Sequence, residues 1–349
     1  MPPDRPPPRA AFAARLVAWQ KRHGRRGLPW QGTRDPYRIW LSEVMLQQTQ
    51  VSAVIPYYRR FVERFPTLAE LARASEDAVL RLWSGLGYYA RGRNLHAAAK
   101  QIAALGRFPR TSAALAELPG VGRTTAAAIA AFAFGERAAI LDGNVKRVLA
   151  RCFGVEGWPG VPAVQARLWS IAESLLPKSK VETYTQALMD LGATVCTRTS
   201  PKCEACPLQG SCLARRQGRI AEFPGVRPRK ALPQRKSTWL VLRRDDQVLL
   251  ERRPSAGLWG GLWSFPECDG REPRAFCREV LNYDVEAMRP LAPLQHGFTH
   301  FQLHIRPLVC EVRRGALRAE SPGRLWLDLP DARQAAIPAP VKKVLNSFQ

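Results

Sequence analysis

Three groups of residues in the 349-residue chain have types and spacings that could do chemistry. The densest is Cys196-x6-Cys203-x2-Cys206-x5-Cys212. Four thiols within so short a span call for a metal ion or a metal cluster, and zinc is the generic occupant of a four-cysteine site. The second group is a carboxylate pair far apart in sequence. Glu43 sits in Ile39-Trp-Leu-Ser-Glu-Val-Met-Leu-Gln-Gln-Thr-Gln50, with Leu41, Val44, Met45 and Leu46 around it. Burial there would raise its pKa into the range of a general acid, whereas a place on the polar helix face would leave it solvated; periodicity alone leaves both open. Asp142 opens Gly143–Phe153 where a helix cap belongs, and capping and catalysis are compatible roles. The third group is Leu118-Pro-Gly-Val-Gly-Arg-Thr-Thr125. Gly120 and Gly122 make a tight turn between two helices, so that free N–H groups at the second helix could hold a phosphate. An ordinary helix–helix turn has the same pattern.

These groups must be carried by helices. Periodicity and caps predict Ala10–Arg22, a helix starting at Asp35-Pro36, Val51–Arg64, Asp77–Trp83, Asn94–Leu105, Thr111–Glu117, Thr124–Phe134, Gly143–Phe153, Val164–Leu176 and Val181–Gly192. Gly85-Leu-Gly-Tyr-Tyr-Ala-Arg91 reads as a glycine-hinged turn presenting aromatics beside arginine. From Glu222 to Lys236 the chain turns Pro- and Arg-rich, which sets a linker over 226–236. Beyond it the period changes: Thr238–Arg243, Gln247–Arg252 and Phe298–Val312 read as strands, with helices near Pro273–Leu281 and Pro340–Ser347. The fold class is therefore multidomain, an all-α part followed by an α+β part.

Net charge is +24, and residues 1–235 carry 36 Lys and Arg against 16 Asp and Glu, the remainder 17 against 13. A surplus concentrated in the helical part fits a phosphate backbone as partner. No apolar run is long enough to span a membrane, and the proline-rich lead-in over residues 1–9 lacks the apolar core of a secretory signal. A cytoplasmic location is expected, in which eight cysteines do not form a disulfide framework. Cys152, Cys268, Cys277 and Cys310 then read as small buried hydrophobes.

The hairpin Leu118–Thr125 and the run Leu141-Asp-Gly-Asn-Val145 resemble the endonuclease III superfamily of DNA glycosylases, and the 6-2-5 cysteine spacing is similar to that family's [4Fe–4S] loop. Within it, Leu41-Ser-Glu-Val-Met-Leu-Gln-Gln-Thr-Gln-Val51 resembles the segment around the catalytic Glu of adenine DNA glycosylases of the MutY type. The resemblance covers roughly residues 10 to 349. It implies a helix-hairpin-helix glycosylase over 10–225, with a six-helix part at 30–134 and an iron–sulfur part at 10–29 and 139–225. It implies Glu43 as acid and Asp142 as the carboxylate facing the sugar. A base pocket follows at Arg26, Trp30, Gln31, Leu46 and Gln186, with DNA contacts at Gln48, Tyr88, Gly120, Gly122, Thr124 and Asn144. Gly257-Leu-Trp-Gly-Gly-Leu-Trp-Ser-Phe-Pro-Glu267 resembles the start of a Nudix-like domain at 237–349. The metal-binding glutamates of a working Nudix hydrolase are missing there. Phe298, Thr299 and His300 would read 8-oxoguanine, with Thr299 where the family usually has Ser. The implied partner is double-stranded DNA containing A:8-oxoguanine or A:G mispairs, bound by a monomer. Two other activities stay open: a bifunctional pyrimidine glycosylase/lyase, which needs an amine where this chain has Thr124, and a non-catalytic DNA-binding iron–sulfur protein.

Overall fold

The computed structural model describes residues 9–228, 231–268, 270–312 and 323–348. The chain gathers into two compact units, residues up to 72 with 97–229, and 73–96 with 230–349. Arg73–His96 therefore groups with the C-terminal part, although it lies inside the expected six-helix part. The proline-rich lead-in falls outside the described residues as far as residue 8, and Arg9 already belongs to the first helix.

The helices are α1 (Arg9–His23), α2 (Pro36–Leu46), α3 (Val51–Arg64), α4 (Leu68–Arg73), α5 (Glu76–Trp83), α6 (Tyr89–Ala104), α7 (Ser112–Ala116), α8 (Arg123–Phe134), α9 (Gly143–Phe153), α10 (Pro162–Ser174), α11 (Val181–Thr194) and the short α12 (Leu213–Arg216). Residues 30–134 thus hold seven helical segments rather than six. The addition is α4, fixed by a reciprocal cap: Thr67 N–H donates to Glu70 Oε2 at 2.9 Å and Glu70 N–H to Thr67 Oγ1 at 3.3 Å. Elsewhere the caps are as the residue types require. Asp35 accepts from Tyr37 N–H ahead of Pro36, and Ser75 and Thr111 cap α5 and α7. In the helical unit, Phe12, Leu16 and Trp19 of α1 join Val145, Val148 and Leu149 of α9 and Tyr184, Leu188 and Leu191 of α11 in one core. The N-terminal helix thereby closes over the segments that carry Asp142 and the cysteine loop.

The C-terminal unit is built on a mixed sheet. Its strands are β1 (Gln234–Arg244), β2 (Gln247–Arg252), β3 (Trp263–Ser264), β4 (Val285–Pro290), β5 (Leu294–Gly297), β6 (Gln302–Val312) and β7 (Arg324–Asp328). The order is β3-β2-β1-β6-β4, with β5 also on β6 and β7 also on β2. β1 and β6 run parallel from Gln234↔Gln302 to Arg243↔Glu311, so strand structure begins inside the segment read as linker. A second correction concerns Phe298–Phe301. This stretch is the turn between β5 and β6, closed by Phe298 N–H on the Phe301 carbonyl. Short helices α13 (Pro273–Phe276), α14 (Leu329–Gln334) and α15 (Ala339–Leu345) complete the unit. Its core includes Leu240, Leu249 and Leu308 together with Cys268, Cys277 and Cys310, the buried apolar role expected of these cysteines.

Candidate active site

Glu43 lies on the last turns of α2, whose Tyr37, Ile39, Trp40, Leu41, Val44 and Met45 are buried. Its side chain is half-buried, open only where two cavities of the helical unit meet. One cavity, of about 440 Å³, is lined by Trp30, Gln31, Ser42, Phe132 and Gln186. The other is a cleft of about 900 Å³ lined by Leu46, Gln47, Gln48, Thr124, Leu141, Asp142, Asn144 and Lys146. Glu43 lines both. Burial pushes its pKa up to about 8, and the Asp142 carboxylate adds to the rise.

Asp142 caps α9, its Oδ1 accepting from Val145 N–H at 2.7 Å, while Asn144 Nδ2 approaches Oδ2 at 3.5 Å. Burial raises its pKa too, but N–H groups of Val145 and Asn144 and the guanidinium of Arg147 pull the other way. Glu43 has no such donor among the described residues. Burial thus favours the protonated form of Glu43, while at Asp142 the surrounding donors oppose the same effect of burial. The cap and the carboxylate of the cleft are one side chain.

Most of the expected pocket residues assemble. Trp30 is held edge-on to Tyr58 with ring centroids 5.3 Å apart. Gln31 is stapled in its loop, accepting from Leu28 N–H and donating to the Arg25 carbonyl. Leu46 lies in the larger cleft rather than beside Trp30. Arg26 is not brought in: it is exposed, and its guanidinium donates to the Lys21 carbonyl. The arginine lining the cleft is its neighbour, Arg25, which the sequence reading passed over. Arg25 is held by Asp190, fully buried on α11, which takes the Arg25 N–H at 2.9 Å, Arg25 Nε at 2.7 Å, Gln20 Nε2 at 2.8 Å and Gln186 Nε2 at 2.8 Å. The available signal was an aspartate flanked by Leu188, Met189 and Leu191, since a buried carboxylate must have partners.

The hairpin is tied to the same cleft. Gly120 takes φ +75°, which a side chain would resist. Gly122 caps α8 without a side-chain acceptor, and a Cβ there would meet nothing within 4 Å, so the start of α8 is neither capped by its own side chain nor crowded at Gly122. Gln47 Nε2 donates to the Gly120 carbonyl and Thr125 Oγ1, and Leu141 N–H donates to Thr124 Oγ1. Gln48 and Tyr88, in different units, are both exposed and both left-handed, with φ of 56° and 48°. Lys180, Asp245, Trp259 and Asn282 share this conformation, so the backbone alone does not set Gln48 and Tyr88 apart.

The four cysteines surround a small cavity with Val148, Leu191, Val195 and Arg151. Arg151, buried on α9, donates to Cys196 Sγ at 3.4 Å and to the carbonyls of Thr197, Arg198 and Phe223. Arg147, one turn nearer Asp142, donates to the carbonyls of Cys196 and Gly192 and to Asn144 Oδ1. No three of these side chains are already gathered at metal-ligand geometry among the described residues, but four thiols lining one cavity and backed by a guanidinium have the chemistry of an anionic metal–thiolate site. In the other unit Thr299 and His300 are exposed at the β5–β6 tip. Phe298 is stacked on Phe301 at 4.5 Å and set against His296 and Trp259. Burial keeps the pKa of His296 below its ordinary value, as suits a packing residue.

Residues 41–174 match the family described as HhH-GPD superfamily base excision DNA repair protein, residues 196–212 the iron-sulfur binding domain of endonuclease III, and residues 238–347 the NUDIX domain. An adenine DNA glycosylase of Buchnera aphidicola subsp. Acyrthosiphon pisum (strain APS) is 33% identical over 341 residues, 97% of each chain. That of Rattus norvegicus is 36% identical over 97% of this chain and 78% of its own. A thermostable thymine-DNA glycosylase superposes on 60% of the chain, and 97% of its own, with a TM-score of 0.54 and 31% identity. A non-covalent endonuclease III–DNA complex shares the fold, with a TM-score of 0.51 and 22% identity over 62% of this chain and 100% of that one.

Proposed function

Because the chain belongs to the adenine DNA glycosylases, iron–sulfur enzymes of base excision repair, we propose that it removes adenine paired with 8-oxoguanine or guanine, by hydrolysis alone. What carries the reading is the Glu43 carboxyl, its pKa pushed up to about 8 by burial, at the junction of a base-sized pocket and a cleft that also holds the Asp142 side chain. A base inside a duplex must be extruded before its glycosidic bond can be reached. Adenine would enter beside Trp30, Gln31 and Gln186. Glu43 gives its proton to a ring nitrogen, the electron pair of the glycosidic bond leaves with the neutral base, and the sugar becomes an oxocarbenium ion. Asp142 stabilises that cation until water adds to the anomeric carbon and restores the proton to Glu43.

DNA would lie along the cleft, with phosphate on the N–H groups after Gly120 and Gly122, near Thr124 and Asn144. Gln48 and Tyr88 would fill the gap left by the extruded base. The reading as a lyase finds Thr124, not an amine, at the matching position, though Lys146 lines the cleft. Single-turnover excision on A:8-oxoguanine duplexes, with borohydride trapping in parallel, separates the two. Adenine release without a trapped adduct is expected, and an efficiently trapped Schiff base would overturn hydrolysis alone.

Cys196, Cys203, Cys206 and Cys212 would hold a [4Fe–4S] cluster, in a loop that Arg147 and Arg151 of α9 bind through the carbonyls of Cys196, Thr197 and Arg198. Purified protein should carry about four irons per chain. A single zinc would overturn that cluster type.

The exposed tip Phe298-Thr-His300 would read the oxidised base opposite the adenine. In Thr299→Ala/His300→Ala, chemistry at Glu43 should persist. The preference for A:8-oxoguanine over A:G should fall by roughly 1–3 kcal/mol, the usual weight of a good contact to a base edge. An unchanged ratio would place recognition elsewhere.

A further inference from the structure

The turn that carries Tyr88 is clamped from two directions. Gly85, Gly87 and Tyr88 have φ of 97°, 76° and 48°, three left-handed residues within four positions. From inside the turn, Trp83 Nε1 donates to the Gly87 carbonyl at 3.1 Å and Arg91 reaches the carbonyls of Leu86 and Gly87. The Arg91 guanidinium lies 5.2 Å from the Tyr88 ring centre. From outside, a backbone oxygen clamps the turn: the carbonyl of Ile337, 253 residues after Ser84. It accepts from Ser84 Oγ at 3.1 Å and from the buried Tyr89 hydroxyl at 3.2 Å. That same hydroxyl accepts from Gly85 N–H at 3.3 Å. Ile337 is itself immobilised: it is buried, and the preceding carbonyl, of Ala336, accepts from Trp263 N–H.

We infer that Tyr89 and Ser84 are positioning residues for Tyr88, transmitting the rigidity of the sheet-bearing unit, through the Ile337 carbonyl, to the turn that enters the duplex. The inference rests on the proposed role of Tyr88. An aromatic wedge holds a gap in stacked bases only while its own backbone stays put. Tyr88 is about half exposed and adopts a conformation that side chains disfavour, so its surroundings must impose it. A hydroxyl has one proton to give and lone pairs to receive. Tyr89 uses both, and so joins the first residue of the turn to the sheet-bearing unit. Phenylalanine would keep the buried ring and break that join.

The test is a double-mutant cycle in the full-length protein on one duplex containing A opposite 8-oxoguanine. Single-turnover excision is followed, with fluorescence of 2-aminopurine at the target position reporting unstacking. Tyr88→Ala should slow both. Tyr89→Phe should slow both about fivefold, the weight of one neutral hydrogen bond, with an unchanged melting temperature. Ser84→Ala should act in the same direction. In the Tyr88→Ala background, Tyr89→Phe should have less than about a twofold further effect, because nothing remains to be positioned. Equal losses in both backgrounds, or no loss from Tyr89→Phe where Tyr88→Ala is impaired, would overturn the inference. A Tyr88→Ala protein that excises normally would instead overturn the role of Tyr88 itself.

Discussion

Glu43→Gln should bind the mispair as the parent does and excise adenine about 10²- to 10⁴-fold more slowly in a single turnover, the range lost with a general acid. The amide keeps the shape of the side chain at the junction of pocket and cleft and has no acidic proton to give. The pH profile carries the same information. With a pKa of about 8, the acid is in place at neutral pH, and the parent's rate should fall about tenfold per pH unit above that value. The variant's residual rate should show no such limb. Stability of the parent also falls with rising pH, but in a lower window. The folded protein retains a proton on Glu43 that the unfolded chain releases near the ordinary value of 4.5. The native state thus binds more protons between about pH 4.5 and 8, and the parent loses stability as pH rises through that window. Gln has nothing to ionise, so its advantage in melting temperature should grow across the window and level off above it. Near-normal excision by Glu43→Gln would remove this residue from the mechanism.

Asp142→Asn should leave α9 intact and reduce single-turnover excision by about 10²- to 10³-fold, the loss usual when one preorganised electrostatic partner is removed. Asn is as good a cap as Asp and still accepts from Val145 N–H. The substitution therefore separates the two roles that one side chain combines here. The charge disappears, and the oxocarbenium ion loses its counter-charge in a buried site. A drop in melting temperature with excision intact would reduce Asp142 to a cap. Asp142→Ala should add a stability loss of about 1 kcal/mol, because it removes the cap as well.

How much of this was written in the chain differs from residue to residue. The caps at Asp35, Ser75, Thr111 and Asp142 are local chemistry and could be read directly. So could the capping box Thr67-x-x-Glu70, which went unread and with it α4. The protonation of Glu43 could not, because periodicity places a residue on a helix face without saying what covers that face. The choice between Arg25 and Arg26 is equally illegible. It is made by Asp190, 165 residues away, and two adjacent arginines look alike until that partner is known. Exposed β4, with its burial limited to partial cover of Val285 and Met288, gives little alternation to detect. The grouping of Arg73–His96 with the C-terminal unit is likewise absent from any local pattern. An amphipathic helix such as α5 announces a buried face and leaves its partner unspecified.

That grouping has a consequence for how the protein is made. Arg73–His96 leaves the ribosome long before Lys230–Gln349, the rest of its unit. Until then Ser84 and Tyr89 lack the Ile337 carbonyl, Asp77 lacks the indole N–H of Trp263, and the finished burial of Leu80 beside Gly261 cannot form. Domains usually fold in the order of synthesis, and contacts across so many residues form slowly. Here the segment bearing Tyr88 must wait for the last strand and helices. A nascent or prematurely terminated chain that lacks Ile337 therefore leaves the Tyr88 turn without its tether, whatever the state of the carboxylate cleft and the cysteine loop.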